Sequence, residues 1–487
     1  MRNLSSPFRM MVLGAASLLA ACTSVTMAPG YERPTAPIAA TLPQANEDAV
    51  AALVEWRDVF PDPELRAVIE TALVNNRNLR VAVLNVERAR SLYRVQRSES
   101  LPTITAGGDY SRQRFGENAA AFGAGGVGVN TGGGQGPITI EQFSATAAVS
   151  AYELDLFGRV RSLNRQALET FLATEEGRNA AEISLIAEVA NAYLRLGADR
   201  ELLAIARDTL ANQQAALELT SHLAADGLGN DVDVQRVSIS IERARADAAT
   251  LEAQVAQDEN ALRLLAGATD TALTFEVRAI DDVEIDSDFA VGASSAVLLS
   301  RPDVLAAERR LKAANANIGA ARAAFFPRIL LTASAGAASA ELTDLFAPGT
   351  GVWRFAPSIS IPIFTGGRNR AQLRSANIDR DIAIAEYEGS IQTAFRETAD
   401  ALATRATIDE RLDAVAGLST AAETAFDLTN MRFENGIDDY FAVLDAQRTD
   451  YAARQELIAV QLVKAMNTVQ LFRALGCVSC SAMAGPD

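Results

Sequence analysis

Two stretches of equal length share one pattern, 78-NLRVAVLNVERARSLYRVQRSESLPTI-104 and 303-DVLAAERRLKAANANIGAARAAFFPRI-329. Each is rich in alanine and arginine, and each ends in an apolar residue, a proline and a β-like run. Proline ends a helix because it lacks an amide donor and clashes with the preceding turn. The chain therefore carries one pattern twice, in which a helix leads into a strand.

Alternating segments follow each copy of this pattern. Ser358-Ile359-Ser360-Ile361 alternates polar and apolar residues with period two, which is typical of a strand with two unlike faces. We expect β-hairpins at about 103–155 and about 328–364. A soluble hairpin and a strand pair of a membrane barrel share this period. Four short strands cannot close a barrel alone, so a barrel would need several copies of the chain.

A long helical segment follows each hairpin, at about 159–224 and about 368–430. Apolar or small residues of the first segment recur at steps of three and four, which is typical of a coiled-coil seam. They are Ile183, Ile186, Ala190, Tyr193 and Gly197. Glycine-containing turns then lead to returning helices at about 231–266 and about 438–475. Each half is thus helix, hairpin, long helix and returning helix, a mainly α fold with a small β part.

The first 22 residues resemble a bacterial lipoprotein signal. Arg2 and Arg9 precede or flank a short apolar run, and Leu19-Ala20-Ala21-Cys22 has the form of a lipobox, whose cysteine is lipidated before cleavage. An ordinary secretory peptide is the alternative. Thr23, rather than aspartate, follows the cysteine, which favours the outer membrane. A lipid alone would also tether a periplasmic protein.

Composition excludes several classes of protein. The formal net charge of −17 argues against a nucleic-acid binder, because such proteins need positive charge to displace counterions from phosphates. The single histidine, His222, argues against histidine-centred metal sites and Ser–His–Asp catalysis. No assembled catalytic set is visible, so an enzyme is not expected.

The order of motifs resembles that of the TolC-like outer-membrane efflux factors, in particular the lipidated branch that serves RND-type drug pumps. The stretches that carry the resemblance run from residues 31–34 and 60–65 through 152–161, 300–304, 325–327 and 362–368 to 443–448 and 471–476. They cover almost all of the chain after Cys22, in the expected order.

The resemblance implies a homotrimer with a TolC-like trimeric α-helical periplasmic barrel. Each chain would add four strands to a 12-stranded outer-membrane β-barrel, and two similar halves in three chains would approximate six-fold packing. The protein would sit in outer-membrane lipid and extend into the periplasm. It would be a passive conduit for drugs or other small molecules, linked by a periplasmic adaptor (membrane fusion) protein to an inner-membrane RND-type transporter. No cofactor is implied besides the covalent lipid on Cys22.

These expectations give a domain plan for the whole chain. Its segments are a signal peptide at 1–21, a tether and equatorial segment at 22–63, the first repeat at 64–266, an equatorial linker at 267–297, the second repeat at 298–476 and a tail at 477–487. Two alternative functions stay open. One is a channel for type I protein secretion or metal-ion efflux, and the other is a non-spanning periplasmic coiled-coil lipoprotein. The exported substrate cannot be read from the sequence.

The resemblance places the periplasmic aperture at residues 440–448. Phe441, Asp445 and Arg448 lie near one helix face, because they are spaced by four and three residues. Three copies would form an apolar ring and a ring of ion pairs. The alternative is an ordinary solvated ion pair, which contributes about 0.5 kcal/mol or less.

Cys477 and Cys480 form a C-x-x-C motif after the second repeat, where the family usually ends differently. We expect a local disulfide, because the periplasm is oxidising and a lipidated Cys22 leaves these two cysteines as a pair. A thioredoxin-type site would need a strand–helix setting, and a zinc site would need further ligands.

Overall fold

The computed structural model describes residues 26–44, 54–116, 138–227, 229–268, 277–286, 292 and 294–477. The predicted lipidation site Cys22 and the predicted disulfide partner Cys480 lie outside the described residues. No helix in the described part of the chain is both long enough and apolar enough to cross a membrane.

The described elements include eight α-helices, six strands and three short 3-10 helices. The helices are α1 (Trp56–Val59), α2 (Pro63–Asn75), α3 (Arg77–Ser98), α4 (Arg159–Ala225), α5 (Asp231–Ala266), α6 (Pro302–Ala323), α7 (Arg368–Glu434) and α8 (Tyr440–Leu475). The strands are β1 (Val54–Glu55), β2 (Ile104–Phe115), β3 (Ile138–Leu154), β4 (Arg328–Ser339), β5 (Gly351–Ser360) and β6 (Gly476–Cys477).

The two halves of the chain share one helical plan. The long helices α4 and α7 have 67 residues each, and the returning helices α5 and α8 have 36 each. Arg159 therefore corresponds to Arg368, and Asp231 to Tyr440. The second long helix ends four residues beyond the expected position 430, and the second returning helix begins at Tyr440 rather than at 438.

The chain divides into two compact units. Among the described residues, the first comprises 26–33, 89–116, 138–171 and 310–383 and contains one antiparallel sheet in the order β2-β3-β4-β5. Strands β3 and β4 come from different halves and pair over most of their length, for example Thr146 with Gly336. Within the described residues, the outer strands β2 and β5 each pair on one side only.

One face of this sheet is mainly apolar, apart from Arg112, Arg114 and Glu141 near the hairpin end of β2 and β3, and the other is mostly small or polar. The apolar face comprises Ile104 and Tyr110 in β2, Phe143, Ala145, Ala147 and Val149 in β3, Ile329, Leu331, Ala333 and Ala335 in β4, and Trp353, Phe355 and Ile359 in β5. The aromatic and isoleucine side chains of β5 are exposed to solvent. The opposite face of β5 carries Arg354, Ser358 and Ser360. An exposed sheet face with this composition calls for an apolar environment.

The first unit also holds a chain segment ahead of the sheet. The backbone oxygen of Pro29 accepts from Asn315 Nδ2 at 2.9 Å, and that of Met27 accepts from Arg322 Nη1 at 3.2 Å. The ammonium of Lys312 lies 5.0 Å from the ring centre of Tyr31. Residues 27–31 are thus fixed along helix α6.

The second unit comprises residues 34–88, 172–309 and 384–487 and contains the largest apolar core. The predicted seam of α4 lies in this core, since Ile183, Ile186, Ala190 and Tyr193 are buried. Aromatic rings from both ends of the chain meet here, with Phe60 and Phe472 packed edge to face at 5.4 Å. Strands β1 and β6 pair in parallel beside them.

Candidate functional site

The candidate aperture lies in the first turns of α8. The helix begins after Asp439, whose carboxylate accepts from the backbone amide of Ala442 at 3.1 Å. The preceding turn is fixed by Gly436 in the left-handed conformation, with a φ of 73°, which glycine adopts without steric cost. Arg432 clasps Asp438 across this turn through two hydrogen bonds of 2.6 and 2.9 Å. This pairing lowers the pKa of Asp438, so the clasp is charged at neutral pH.

The structure brings two of the three predicted aperture residues into contact. Arg448 Nη2 donates to the Asp445 carboxylate, and the two side chains are 71 % and 55 % exposed. Phe441 lies one turn before Asp445 and is half exposed. All three side chains line one groove of about 630 Å³ between α4, α5 and α8. They therefore face open space on one side of α8.

Arg236 on α5 is an aperture neighbour that the sequence analysis missed. Its guanidinium carbon lies 4.8 Å from the ring centre of Phe441, a cation–π distance. Arg236 also forms an ion pair with Asp233 at 3.4 Å. In the repeat register Arg236 corresponds to Asp445, so the two halves place opposite charges at equivalent positions. That register was the signal in the sequence that could have revealed it.

A small apolar core supports the aperture residues from behind. Val237 and Ile241 of α5 pack with Tyr440 and Val443 of α8. Phe433, at the end of α7, packs edge to face on Tyr440 at 5.2 Å. Burial raises the pKa of Tyr440 to about 12, so its hydroxyl stays neutral at physiological pH. The aperture residues thus project from a packed base.

The groove is lined by apolar and charged side chains. It offers an aromatic ring and charged side chains of both signs, without a nucleophile set beside a base. Among the described residues, no group of three or more histidine, cysteine or acidic side chains could hold a metal ion. Rings of charged and apolar side chains restrict ion flow when repeated around an axis.

A second cluster of interest joins α4 and α5 in the second unit. The carboxyl groups of Asp199 and Asp258 are neighbours, and Gln254 Nε2 donates to Asp258 at 3.1 Å. Asp258 is buried. Burial, followed by the hydrogen bond and the charge of Asp258, raises the pKa of Asp199 to about 7, and Arg195 opposes the shift.

Replacing Asp199→Asn should stabilise the protein more at pH 8 than at pH 5. The folded-state pKa lies above the ordinary aspartate value, so the stability that protonated Asp199 contributes is complete below that ordinary value and is lost as pH rises through about 7. Asparagine keeps a hydrogen bond without ionising. Because Asp199 is partly exposed, we expect a gain of about 1 kcal/mol or less. Thermal unfolding at both pH values measures it.

The matched control for this experiment is Asp208→Asn, an exposed aspartate on the same helix. It should shift the unfolding temperature equally at both pH values. A pH-independent gain in Asp199→Asn would contradict the raised pKa of Asp199.

Comparisons with known proteins identify the family to which the chain belongs. The family model described as outer membrane efflux protein matches residues 68–268 and 293–477. The toluene efflux pump outer membrane protein TtgC of Pseudomonas putida is 42 % identical over 471 residues, which cover 95 % of this chain and 93 % of that protein. Outer membrane protein OprJ of Pseudomonas aeruginosa is 40 % identical over 468 residues, 95 % of each chain.

Solved structures agree with this result. The crystal structure of a membrane protein from Pseudomonas aeruginosa has a TM-score of 0.85 at 40 % identity and covers 93 % of this chain and 100 % of that one. The open state of the Neisseria gonorrhoeae MtrE outer membrane channel has a TM-score of 0.82 at 38 % identity, with coverages of 93 % and 98 %. The resemblance and the TolC-like fold expected from the sequence are thereby confirmed. The chain belongs to the outer membrane efflux protein family, and its place is the outer membrane.

Proposed function

We propose that three copies of this chain form the passive outer-membrane conduit of a tripartite efflux system. The observation that carries the proposal is the sheet of the first unit, which has one apolar face and two outer strands paired on one side only. In a trimer, β5 of one copy would pair with β2 of the next. Twelve strands then close into a barrel whose apolar face meets lipid.

The helical repeat supports the same assembly. The two halves have long and returning helices of equal length, so three copies present six similar helical hairpins around an axis. The aperture residues would then form rings at the periplasmic end. A periplasmic adaptor (membrane fusion) protein and an inner-membrane RND-type transporter are the partners that this architecture calls for.

The proposed cargo is drugs, solvents or other small molecules. The names of the relatives support it, since they include toluene and antibiotic efflux pump outer membrane proteins. The conduit itself supplies no energy in this scheme, and the transporter supplies it instead. Selection of cargo would likewise lie largely in the transporter.

Lipidation of Cys22 belongs to the same proposal. Residues 27–31 are held on helix α6 next to the sheet, and Cys22 precedes Met27 by five residues, which span at most about 17 Å. An acyl chain on Cys22 would therefore reach the membrane that holds the sheet. Labelling with palmitate tests the site, since the label should be present in the wild type and lost in Cys22→Ala.

The Cys477–Cys480 disulfide stays a prediction.

Reconstitution tests the conduit. Purified full-length chain should migrate as a heat-modifiable trimer on gels and give discrete conductance steps in planar bilayers. A protein with neither property would be a non-spanning coiled-coil lipoprotein instead. Export assays with a cognate adaptor and transporter would separate small-molecule efflux from protein secretion or metal-ion efflux.

A further inference from the structure

The two repeats differ where the second strand of each hairpin runs into its long helix. In the first repeat, Glu153 and Asp155 precede Arg159 and Arg161. The corresponding residues of the second repeat are Pro362 and Phe364, followed by Arg368 and Arg370. The second junction therefore has both arginines, but it has apolar residues at the positions of the two acids.

In the first junction the arginines are neutralised within the chain. Arg159 donates to Glu153 through two hydrogen bonds of 2.8 Å, and Arg161 Nε donates to Asp155 at 3.2 Å. Arg328 of β4 also reaches Glu153, at 2.7 Å. Each of the three arginines at this end of the sheet thus has a carboxylate partner within the chain.

In the second junction the described residues supply no such carboxylate partners. Arg368, Arg370 and Arg374 are exposed and form no ion pair with any residue that the structure describes. They occupy the start of α7, which has no acidic residue in its first turn. Positive charge there is unfavourable, because it opposes the positive end of the helix dipole. The arrangement favours an anion supplied from outside the chain.

The surroundings of these arginines indicate an amphiphilic anion. Ile363 and Phe364, just before α7, are 95 % and 90 % exposed. Beside them is a cleft of about 670 Å³, where the guanidinium groups of Arg159, Arg328 and Arg368 outnumber the one carboxylate in its lining, that of Asp379. The guanidinium fork suits phosphate oxygens, and the two apolar side chains suit a hydrocarbon chain.

The junction lies at one end of the sheet. The start of β2, the end of β3, the start of β4 and the end of β5 all meet there, as the pairs Ile104–Val149 and Arg328–Ser360 show. If the sheet crosses the outer membrane, the junction marks the periplasmic rim of the bilayer. Basic clusters at a membrane rim attract anionic lipid headgroups.

We propose that the junction Pro362–Arg370 binds an anionic phospholipid of the inner leaflet, with its phosphate on Arg368 and Arg370 and its acyl chain on Ile363 and Phe364. The inference rests on the proposed function, since it requires the sheet to lie in the outer membrane. The lipid phosphate would pair with Arg368 and Arg370, whose counterparts in the first repeat are paired with carboxylates of the chain.

Native mass spectrometry of the full-length trimer in detergent tests the proposal. Phosphatidylglycerol and phosphatidylcholine with the same acyl chains are added separately and the bound lipids are counted. We expect phosphatidylglycerol to be retained about fivefold or more over phosphatidylcholine. The variant Arg368→Gln/Arg370→Gln should bring the ratio close to one. Soluble glycerol phosphate should not displace the lipid, because it lacks the acyl chain.

The matched control is Arg411→Gln/Arg473→Gln, which removes the same charge from two exposed arginines of the second unit. It should keep the preference. Equal retention of both lipids, or an unchanged preference in Arg368→Gln/Arg370→Gln, would overturn the inference. If that variant's trimer dissociates while its lipid preference stays intact, the arginines contact a neighbouring copy of the chain and not the lipid. Conductance of the same samples separates the two proposals, since a conducting trimer without the preference overturns only this one.

Discussion

A channel that carries Asp445→Ala and Arg448→Ala should conduct about threefold or more above the wild type in planar bilayers. The two side chains are exposed, ion-paired and on the side of α8 that faces the groove. In a trimer they would form a charged ring at the narrowest point, and alanine removes most of the volume and all of the charge. Susceptibility of cells to large antibiotics should rise in parallel.

The fold should tolerate this double change. An exposed ion pair contributes about 0.2–1 kcal/mol, which is small against the stability of a domain. The matched control is Arg396→Ala/Asp400→Ala, an equally exposed pair at 3.2 Å on α7. Its conductance should equal that of the wild type. If both double variants conduct alike while the trimer is intact, the aperture does not lie at Asp445 and Arg448.

Arg236 extends the test to the other half of the chain. Its cation–π contact holds α5 against Phe441 of α8 and contributes about 0.5–1 kcal/mol at an exposed site. Arg236→Gln should therefore raise conductance in the same direction as the double change, and by less. The effects should not simply add, because these side chains share one groove.

The helical part of the fold could be predicted because its signals are local. Prolines 102 and 327 end helices, and Gly227 and Gly436 have φ values of 70° and 73° at the turns after α4 and α7. The predicted end of α7 was less accurate, because a contact between two helices influences where this helix ends. Phe433 packs on Tyr440, and this contact extends the helix beyond residue 430.

Contacts between distant residues could not be predicted in the same way. Alternation indicates which residues of a strand share a face, but it does not tell which strand lies next to it, so the pairing of β3 with β4 was not foreseen. The Asp199–Asp258 pair is likewise invisible in either helix alone. The repeat register would have helped with Arg236, because it aligns with Asp445.

A large loss of stability is expected for Gly267→Ala, at the end of α5. Gly267 has a φ of 66°, in the left-handed region, and its amide donates to backbone oxygens of the last turn. An added Cβ would lie 2.3 Å from the backbone oxygen of Asn75 and 2.6 Å from its carbonyl carbon. These atoms belong to the end of α2 and cannot rotate away as a side chain would.

Two costs combine in this variant. The left-handed conformation costs a non-glycine residue about 1–2 kcal/mol, and forcing atoms into an occupied space costs about 1–3 kcal/mol. The contact region is also fixed by Asn76, whose side-chain amide donates to the Leu265 oxygen at 2.9 Å while its oxygen caps α3 at Leu79. Backbone movement to relieve the clash would strain both bonds. The unfolding temperature should therefore fall by about 5 °C or more.

Gly436→Ala separates the two costs. Gly436 has nearly the same backbone conformation, with a φ of 73°, but a Cβ there would meet no atom within 4 Å in the described part of the chain. It should show only the conformational cost of about 1–2 kcal/mol. Thermal unfolding of both variants beside the wild type measures the difference. Equal shifts would mean that α2 moves freely at Asn75, and that the contact between the end of α5 and the end of α2 is not close-packed.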